Sequence, residues 1–195
     1  SRWPIVQSWP NLTRQFAALI DLPGTYATDL LFTASHLHCC TADGSRQNEA
    51  DEYVRFVQDA KTAGGSFTLP ANTPMVYAGD LNTVGYAQQL TTLLTGDIVN
   101  NATYGADGPM DWDGTSTVSA ALIQTDARMA YTWRSNTSAY PSGRLDHLLY
   151  TDAAMTLAKS FTLRTEVMPP ATLAALGLNL TDASVASDHF PITAD

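Results

Sequence analysis

One stretch constrains this chain more than any other: Met75-Val76-Tyr77-Ala78-Gly79-Asp80-Leu81-Asn82. Its apolar, β-prone first half predicts a buried strand, and the glycine marks the end of that strand. Asp80 and Asn82 follow at alternate positions, so their side chains can face the same way. A carboxylate and a carboxamide together suit a hard metal ion and the phosphoryl oxygens that it holds. The same pattern fits a strand followed by an Asx turn, and this stretch alone does not separate the two.

The composition predicts a single globular domain over residues 1–195. Hydrophobic residues make up 45% of the chain and charged residues 15%, which excludes a disordered protein. The formal net charge is −9, and no cluster of Lys or Arg occurs. Binding to nucleic acid depends on basic side chains that neutralise phosphates. The charge therefore disfavours nucleic acid as a partner without excluding it. No apolar run is long enough to predict a transmembrane segment.

The two cysteines, Cys39 and Cys40, are adjacent, so they give no zinc-site spacing. They are compatible with a strained vicinal disulfide, with pairing to cysteines outside this chain, or with buried free thiols. Four N-x-Ser/Thr sequons exceed the number that the Ser and Thr content predicts. They favour a secreted or extracytoplasmic protein but leave localisation undetermined. The sequons begin at Asn11, Asn101, Asn136 and Asn179.

The hydrophobic pattern predicts several strands and few helices. Strands are predicted over 15–23, 28–36, 74–79 and 144–151, and helices over 46–63, 84–94 and 169–176. The segment 186–194 is predicted to be polar at first and strand-like afterwards. The second helix is predicted to bury Tyr86. The Gly- and Asp-rich segment 100–116 is predicted as a surface loop, and its aspartates lack the ordered spacing of an EF-hand.

Histidine, aspartate and asparagine side chains that could bind a metal ion or transfer a proton occur at the ends of these predicted strands. Packed sheets can bring strand ends to one rim, and two histidines beside carboxylates favour acid–base chemistry there. The candidate residues are His36, Asp80, Asn82, Asp146, Asp188 and His189.

Several motifs resemble those of the endonuclease/exonuclease/phosphatase superfamily, whose members include deoxyribonucleases, inositol polyphosphate 5-phosphatases and neutral sphingomyelinases. The resemblance spans essentially the whole chain, and it implies an α+β fold, a four-layer α/β/β/α sandwich of the deoxyribonuclease I-like type. The motifs occur in family order and are Ser1-Arg2-Trp3-Pro4, Thr33-Ala34-Ser35-His36-Leu37, Gly79-Asp80-Leu81-Asn82, Arg144-Leu145-Asp146-His147-Leu148-Leu149 and Ser187-Asp188-His189-Phe190-Pro191.

The chain departs from the family at its beginning. The family carries an early strand with an Asn and then a Gln-Glu element that supplies the main metal-binding Glu. Neither matches here, since Glu49, Glu52 and Glu166 lie on other segments. We therefore expect this sequence to be the C-terminal part of a longer domain, with a complementary N-terminal chain as a possible partner.

The resemblance also implies roles for the candidate residues. Asp80 and Asp188 would hold a divalent cation, Mg²⁺ or else Mn²⁺ or Ca²⁺. His189 would be the general base on the attacking water, oriented by Asp146. Asn82 and His36 would donate to phosphoryl oxygens, and His36 would alternatively assist the leaving group.

These roles predict a metal-dependent phosphoesterase, related to nucleases and sphingomyelinases, that hydrolyses a phosphodiester or phosphomonoester by in-line attack of water. The alternative is a catalytically silent binding or interaction module of the same fold. The position of His147 is often aromatic in the family, so His147 is predicted to serve packing, and His38 is predicted to support the site or lie at the surface.

Overall fold

The computed structural model describes residues 1–195, which divide into two compact units. Unit 1 comprises Ser1–Ser119 and Leu148–Thr156, and unit 2 comprises Ala120–His147 and Leu157–Asp195. The strand Asp146–Tyr150 is shared, with its first two residues in unit 2 and its last three in unit 1. The prediction of a single domain stays a prediction.

Unit 1 is built on a six-stranded mixed sheet in the order β1-β2-β3-β4-β6-β5. Strands β3 and β4 are parallel, whereas β1 with β2, β2 with β3, and β5 with β6 are antiparallel. The strands are β1 Ile5–Trp9, β2 Gln15–Ile20, β3 Leu30–His36, β4 Met75–Asp80, β5 Val118–Ser119 and β6 Asp146–Tyr150.

The core of unit 1 forms where one face of this sheet packs against the helix α1, Asp43–Lys61. Strand β3 shows the expected alternation, since Leu31 and Thr33 are buried and Ala34 is exposed. Helix α1 contributes Tyr53, whose ring lies 4.3 Å from that of Tyr77 in β4. Burial of such apolar and aromatic surface supplies most of the favourable free energy of folding.

Helix α1 was predicted to begin at Arg46, but it begins three residues earlier. The side chain of Ala42 provides no cap. An ion pair between Asp43 and Arg46, three residues apart, instead spans the first turn. The predicted end of the helix is confirmed within two residues, and Gly64 follows with a positive φ of 81°.

The second predicted helix is confirmed at its end and wrong at its beginning. Helix α2 spans Gln88–Thr95 and ends at Gly96 in the left-handed conformation, as a C-terminal glycine favours. Tyr86 was predicted to be buried in it, but this residue lies before the helix and is 50% exposed. In the segment predicted as a loop, the single-turn helix α3, Asn101–Tyr104, forms.

Unit 2 contains a two-stranded antiparallel sheet of β7, Ser160–Thr162, and β8, Ile192–Ala194. Its helices are α4, Pro170–Leu176, and α5, Asp182–Ala186, with a 3₁₀ turn at Thr165–Val167. The prediction of α4 is confirmed. The segment 186–194 was predicted to be polar at first and strand-like afterwards. This is confirmed, since α5 ends at Ala186, an irregular segment follows, and β8 forms the last part.

The irregular segment before β8 is held by backbone hydrogen bonds to the segment around Trp133. Phe190 N donates to Thr132 O at 2.7 Å, and Arg134 N donates to Asp188 O at 3.0 Å. These bonds fix the backbone of the Ser187–Pro191 motif although it belongs to no regular strand.

No helix of the structure is both long enough and apolar enough to cross a membrane.

Gly79, within the motif at the end of β4, sits where no other residue fits. Its φ is +146°, and a Cβ atom there would lie 2.0 Å from the carbonyl oxygen of Ser35 on the neighbouring strand. We expect Gly79→Ala to lower the free energy of unfolding by about 3 kcal/mol, because backbone strain and a backbone clash add. Urea denaturation monitored by circular dichroism measures this loss.

Gly64→Ala is the matched control for this prediction. Gly64 also has a positive φ, but nothing lies within 4 Å of a Cβ built there. Gly64→Ala should therefore lower the free energy of unfolding by only about 1 kcal/mol, the cost of placing alanine in the left-handed conformation. A Gly79→Ala protein no less stable than Gly64→Ala would contradict the close approach of β3 and β4.

Candidate active site

The parallel pairing of β3 and β4 brings His36 and Asp80 together in unit 1. The two residues are Cα partners at the last position of each strand, and His36 Nε2 lies 3.6 Å from Asp80 Oδ2. The His36 side chain is 66% exposed, whereas that of Asp80 is 15% exposed. An accessible imidazole thus stands beside a largely buried carboxylate.

Asn82 lies in the turn that follows Asp80. Its backbone N donates to Asp80 Oδ1 at 2.8 Å, and its side-chain Nδ2 donates to Leu37 O at 2.9 Å. Its φ of +48° is a conformation that Asn tolerates better than most residues. The Asx-turn alternative is therefore correct as local geometry. It does not exclude a functional role, because an amide nitrogen carries two hydrogens and Leu37 O accepts only one.

A hydrogen-bonded pair that the sequence did not reveal, formed by His38 and buried Glu49, supports the loop after β3. Glu49 of α1 is 2% exposed and pairs with the His38 ring through Nδ1. The backbone N of His38 also donates to Glu49 Oε2, at 3.0 Å. His38 had been predicted to support the site or lie at the surface. The structure shows that it anchors the loop that leads away from His36.

Arg46 completes this anchor. Its guanidinium is fully buried and donates from Nη1 to His38 O at 2.8 Å and to Cys40 O at 3.0 Å. The sequence held one signal for Arg46 and Glu49: they lie seven and four residues before Tyr53, on the apolar face of the predicted helix. A charged side chain on a buried helix face needs a hydrogen-bonding or oppositely charged partner in the interior.

In unit 2, Asp146 and His189 form a direct hydrogen-bonded pair. His189 Nδ1 lies 2.8 Å from Asp146 Oδ2, and both side chains are mostly buried. Thr132 Oγ1, which is itself buried, accepts hydrogen bonds from Asp146 N and Leu145 N. An isolated antiparallel β-bridge between Trp133 and His189 fixes the backbone of His189. The pair is therefore fixed by backbone contacts on both sides.

The carboxylate of Asp188 lies against the indole of Trp133. Trp133 Nε1 donates to Asp188 Oδ2 at 2.8 Å, and the Ser187 hydroxyl lies 3.5 Å from Oδ1. Asp188 also lines a cleft of about 420 Å³ within unit 2, together with Arg134 and Glu166. The hydrogen bond from Trp133 therefore fixes one oxygen of the Asp188 carboxylate.

His147, next to Asp146, has the packing role that was predicted. It is 3% exposed, and its burial lowers the pKa of its imidazole from 6.5 to about 4, helped by the positive charge of Arg144. A backbone hydrogen bond at Arg144 and the charge of Asp146 oppose this effect. His147 is thus neutral at physiological pH.

This lowered pKa predicts a loss of stability in acid. Between pH 6.5 and about 4 the unfolded chain binds a proton at His147 that the folded chain does not, so the free energy of unfolding falls as the pH falls. The full contribution is about 3 kcal/mol and is lost completely only below about pH 4. Urea denaturation at pH 7 and pH 5 measures the change.

His147→Phe removes the titrating group while keeping a planar ring. We expect this variant to lose less stability than the wild type between pH 7 and pH 5, whatever its stability at pH 7. Equal losses in the two proteins would show that His147 is not the group responsible.

No protein-family model matches the chain, and no curated protein matches its sequence. Solved structures match it well enough to show that its fold is deoxyribonuclease I-like. The fold class predicted from the motifs is thereby confirmed.

Two of these structures are bacterial proteins. A mutant beta toxin from Staphylococcus aureus with bound magnesium ions matches with a TM-score of 0.58 and 13% identity, covering 100% of this chain and 65% of its own. Sphingomyelinase C from Streptomyces griseocarneus matches with a TM-score of 0.52 and 16% identity, with the same coverage. The chain thus spans about 65% of the length of these proteins. At such identities the likeness concerns the fold, and the roles of the six candidate residues stay predictions.

Proposed function

We propose that this chain belongs to a divalent-metal-dependent phosphoesterase that hydrolyses a phosphodiester or phosphomonoester by in-line attack of water. The observation that carries the proposal is the Asp146–His189 pair at 2.8 Å. An imidazole oriented by a carboxylate is the usual arrangement of a general base, and here both partners are held by backbone contacts.

In this proposal His189 takes a proton from the attacking water through Nε2. Asp146 accepts a hydrogen bond from Nδ1–H, which fixes the tautomer that leaves Nε2 able to accept. Asp146 also stabilises the imidazolium that forms after proton transfer. Because the Asp146 side chain is only 14% exposed, water screens this interaction little.

The His36–Asp80–Asn82 group of unit 1 would bind the phosphoryl oxygens. His36 is accessible and donates to these oxygens, or protonates the leaving group when it is charged. The second hydrogen of Asn82 Nδ2 donates to a non-bridging oxygen. Such donors stabilise a transition state whose negative charge is spread over the oxygens.

Asp80 and Asp188 are the proposed ligands of the divalent cation. Their donor chemistry fits Mg²⁺, since Mg²⁺ binds few carboxylates and keeps several waters, while Mn²⁺ and Ca²⁺ take the same oxygen ligands. Asp80 accepts from the backbone N of Asn82, and Asp188 accepts from Trp133 Nε1. Such hydrogen bonds orient carboxylates that bind a metal ion. When bound, the cation would neutralise charge on the phosphoryl oxygens. The beta toxin that shares the fold carries magnesium ions.

The proposed substrate is a phosphoester that needs no long basic groove. The net charge of −9 and the absence of a Lys/Arg cluster argue against an extended contact between this protein and the phosphate backbone of a nucleic acid. A lipid or small phosphoester meets this requirement, and one protein of the same fold is a sphingomyelinase C.

The proposal is tested on the full-length protein with chromogenic phosphate esters. Hydrolysis of a nitrophenyl phosphodiester, and of a nitrophenyl phosphomonoester, is followed by absorbance with and without added Mg²⁺. Metal-dependent release of nitrophenol supports the proposal and identifies which ester is preferred. Metal binding without release would support the silent binding module instead.

A further inference from the structure

The adjacent thiols of Cys39 and Cys40 lie in the loop between β3 and α1, and no step of the proposed hydrolysis uses them. They are the only cysteines of the chain, and both are free and exposed. Of the alternatives left open by the sequence, the structure agrees with free thiols, but these are exposed and not buried. The Cys39 side chain hydrogen-bonds that of Cys40, which is the main cause of a raised pKa at the Cys40 thiol.

The backbone that carries these thiols is fixed from both sides. Buried Arg46 donates to the carbonyl oxygens of His38 and Cys40, and Ala42 N donates to Cys39 O at 3.3 Å. Cys40 itself has a φ of +64°, a conformation that a non-glycine residue keeps only when its surroundings hold it. A ligand that bridged both sulfurs would therefore lose little entropy in ordering the loop.

We propose that Cys39 and Cys40 form a dithiol site that chelates one thiophilic centre, either a trivalent arsenical or a soft divalent cation. Two thiols presented side by side and open to solvent are what such a centre requires, since soft thiolate ligands select soft metals. The site is distinct from the His36–Asp80–Asn82 group, whose hard oxygen donors select the opposite class of ion.

The reaction with an organoarsenic(III) oxide balances without an oxidant or a reductant. Two S–H bonds and the As=O bond break, two S–As bonds form, and both thiol protons leave with the oxygen as one molecule of water. With a soft cation, two protons are released to solvent as the two thiolates bind. A vicinal disulfide would block both reactions, so the protein is reduced before the test.

The test uses phenylarsine oxide on the reduced protein. Intact-mass spectrometry is expected to show one bound arsenical per chain that survives washing with excess monothiol and is removed by a dithiol such as 2,3-dimercaptopropanol. Cys39→Ser and Cys40→Ser leave a single thiol each, and their retention after the monothiol wash should fall about 100-fold, because a chelate gains about that factor from its second bond. Both substitutions are at exposed positions, so folding should be unchanged.

A titration with Cd²⁺, followed by ultraviolet charge-transfer absorption, distinguishes the two ligand sources. Retention of the arsenical with no cadmium signal assigns the site to trivalent arsenicals, and both signals together assign it to thiophilic centres in general. Loss of the arsenical from the wild type in the monothiol wash, at the rate seen for Cys40→Ser, would overturn the proposal. Neither the mass of the bound arsenical nor the cadmium absorption depends on hydrolysis. The result therefore tests the dithiol site independently of the proposed function.

Discussion

His189→Ala is expected to lower kcat for phosphoester hydrolysis by about 10⁴-fold in the full-length protein. The substitution removes the proposed base but none of the proposed metal ligands. The affinity for Mg²⁺, measured by isothermal titration calorimetry, should therefore stay nearly unchanged. A retained rate would refute the assignment of the base.

Asp146→Asn tests whether Asp146 acts through His189. The amide keeps the size of the carboxylate but cannot favour the same imidazole tautomer, so kcat should fall by a comparable factor. Residues that act as one unit are not additive. The double variant should therefore be no slower than His189→Ala alone, and a further large decrease would mean that Asp146 has a separate role.

Asp80→Asn is expected to have the second large effect. A neutral amide replaces a proposed carboxylate ligand, so the affinity for Mg²⁺ should fall about 10- to 100-fold, with a larger loss of activity at low Mg²⁺ than at saturating Mg²⁺. Calorimetric titration measures the affinity, and initial rates at several Mg²⁺ concentrations measure the activity.

The fold should tolerate this change, because an amide oxygen at position 80 can still accept from the backbone N of Asn82, as Asp80 Oδ1 does at 2.8 Å. Asp126→Asn is the matched control, since Asp126 is an exposed aspartate and the same charge is removed there. It should leave both affinity and rate unchanged. Equal behaviour of the two variants would remove Asp80 from the metal site.

Local sequence patterns predicted the parts of the structure that short-range geometry determines. The strand ending at Gly79 was predictable because a buried apolar run and a glycine act locally. The pairing of Asp146 with His189, 43 residues apart, was not local. It followed from the order of motifs in a resembling family, which carries information about tertiary contacts that composition and periodicity do not.

The features that the sequence did not reveal depend on partners distant in the chain. Arg46 and Glu49 are polar residues on a helix, and only the fold shows that loop carbonyl groups and His38 satisfy them. Helix α5 has five residues, too few to give a periodic signal or to be stable without tertiary packing. The segment around Trp133 contributes bridges and not a strand, so its role in holding His189 could not be predicted from strand propensity.

The proposed activity of this protein is the hydrolysis of a phosphoester with a divalent cation. The most direct measurement is the rate of nitrophenyl phosphodiester hydrolysis by the full-length protein as Mg²⁺ is titrated after treatment with EDTA, with circular dichroism and calorimetry on the same samples. We expect the rate to be negligible without metal, to rise to saturation with Mg²⁺, and to disappear in His189→Ala at unchanged Mg²⁺ affinity. A folded protein that binds Mg²⁺ and releases no nitrophenol at any concentration would contradict it.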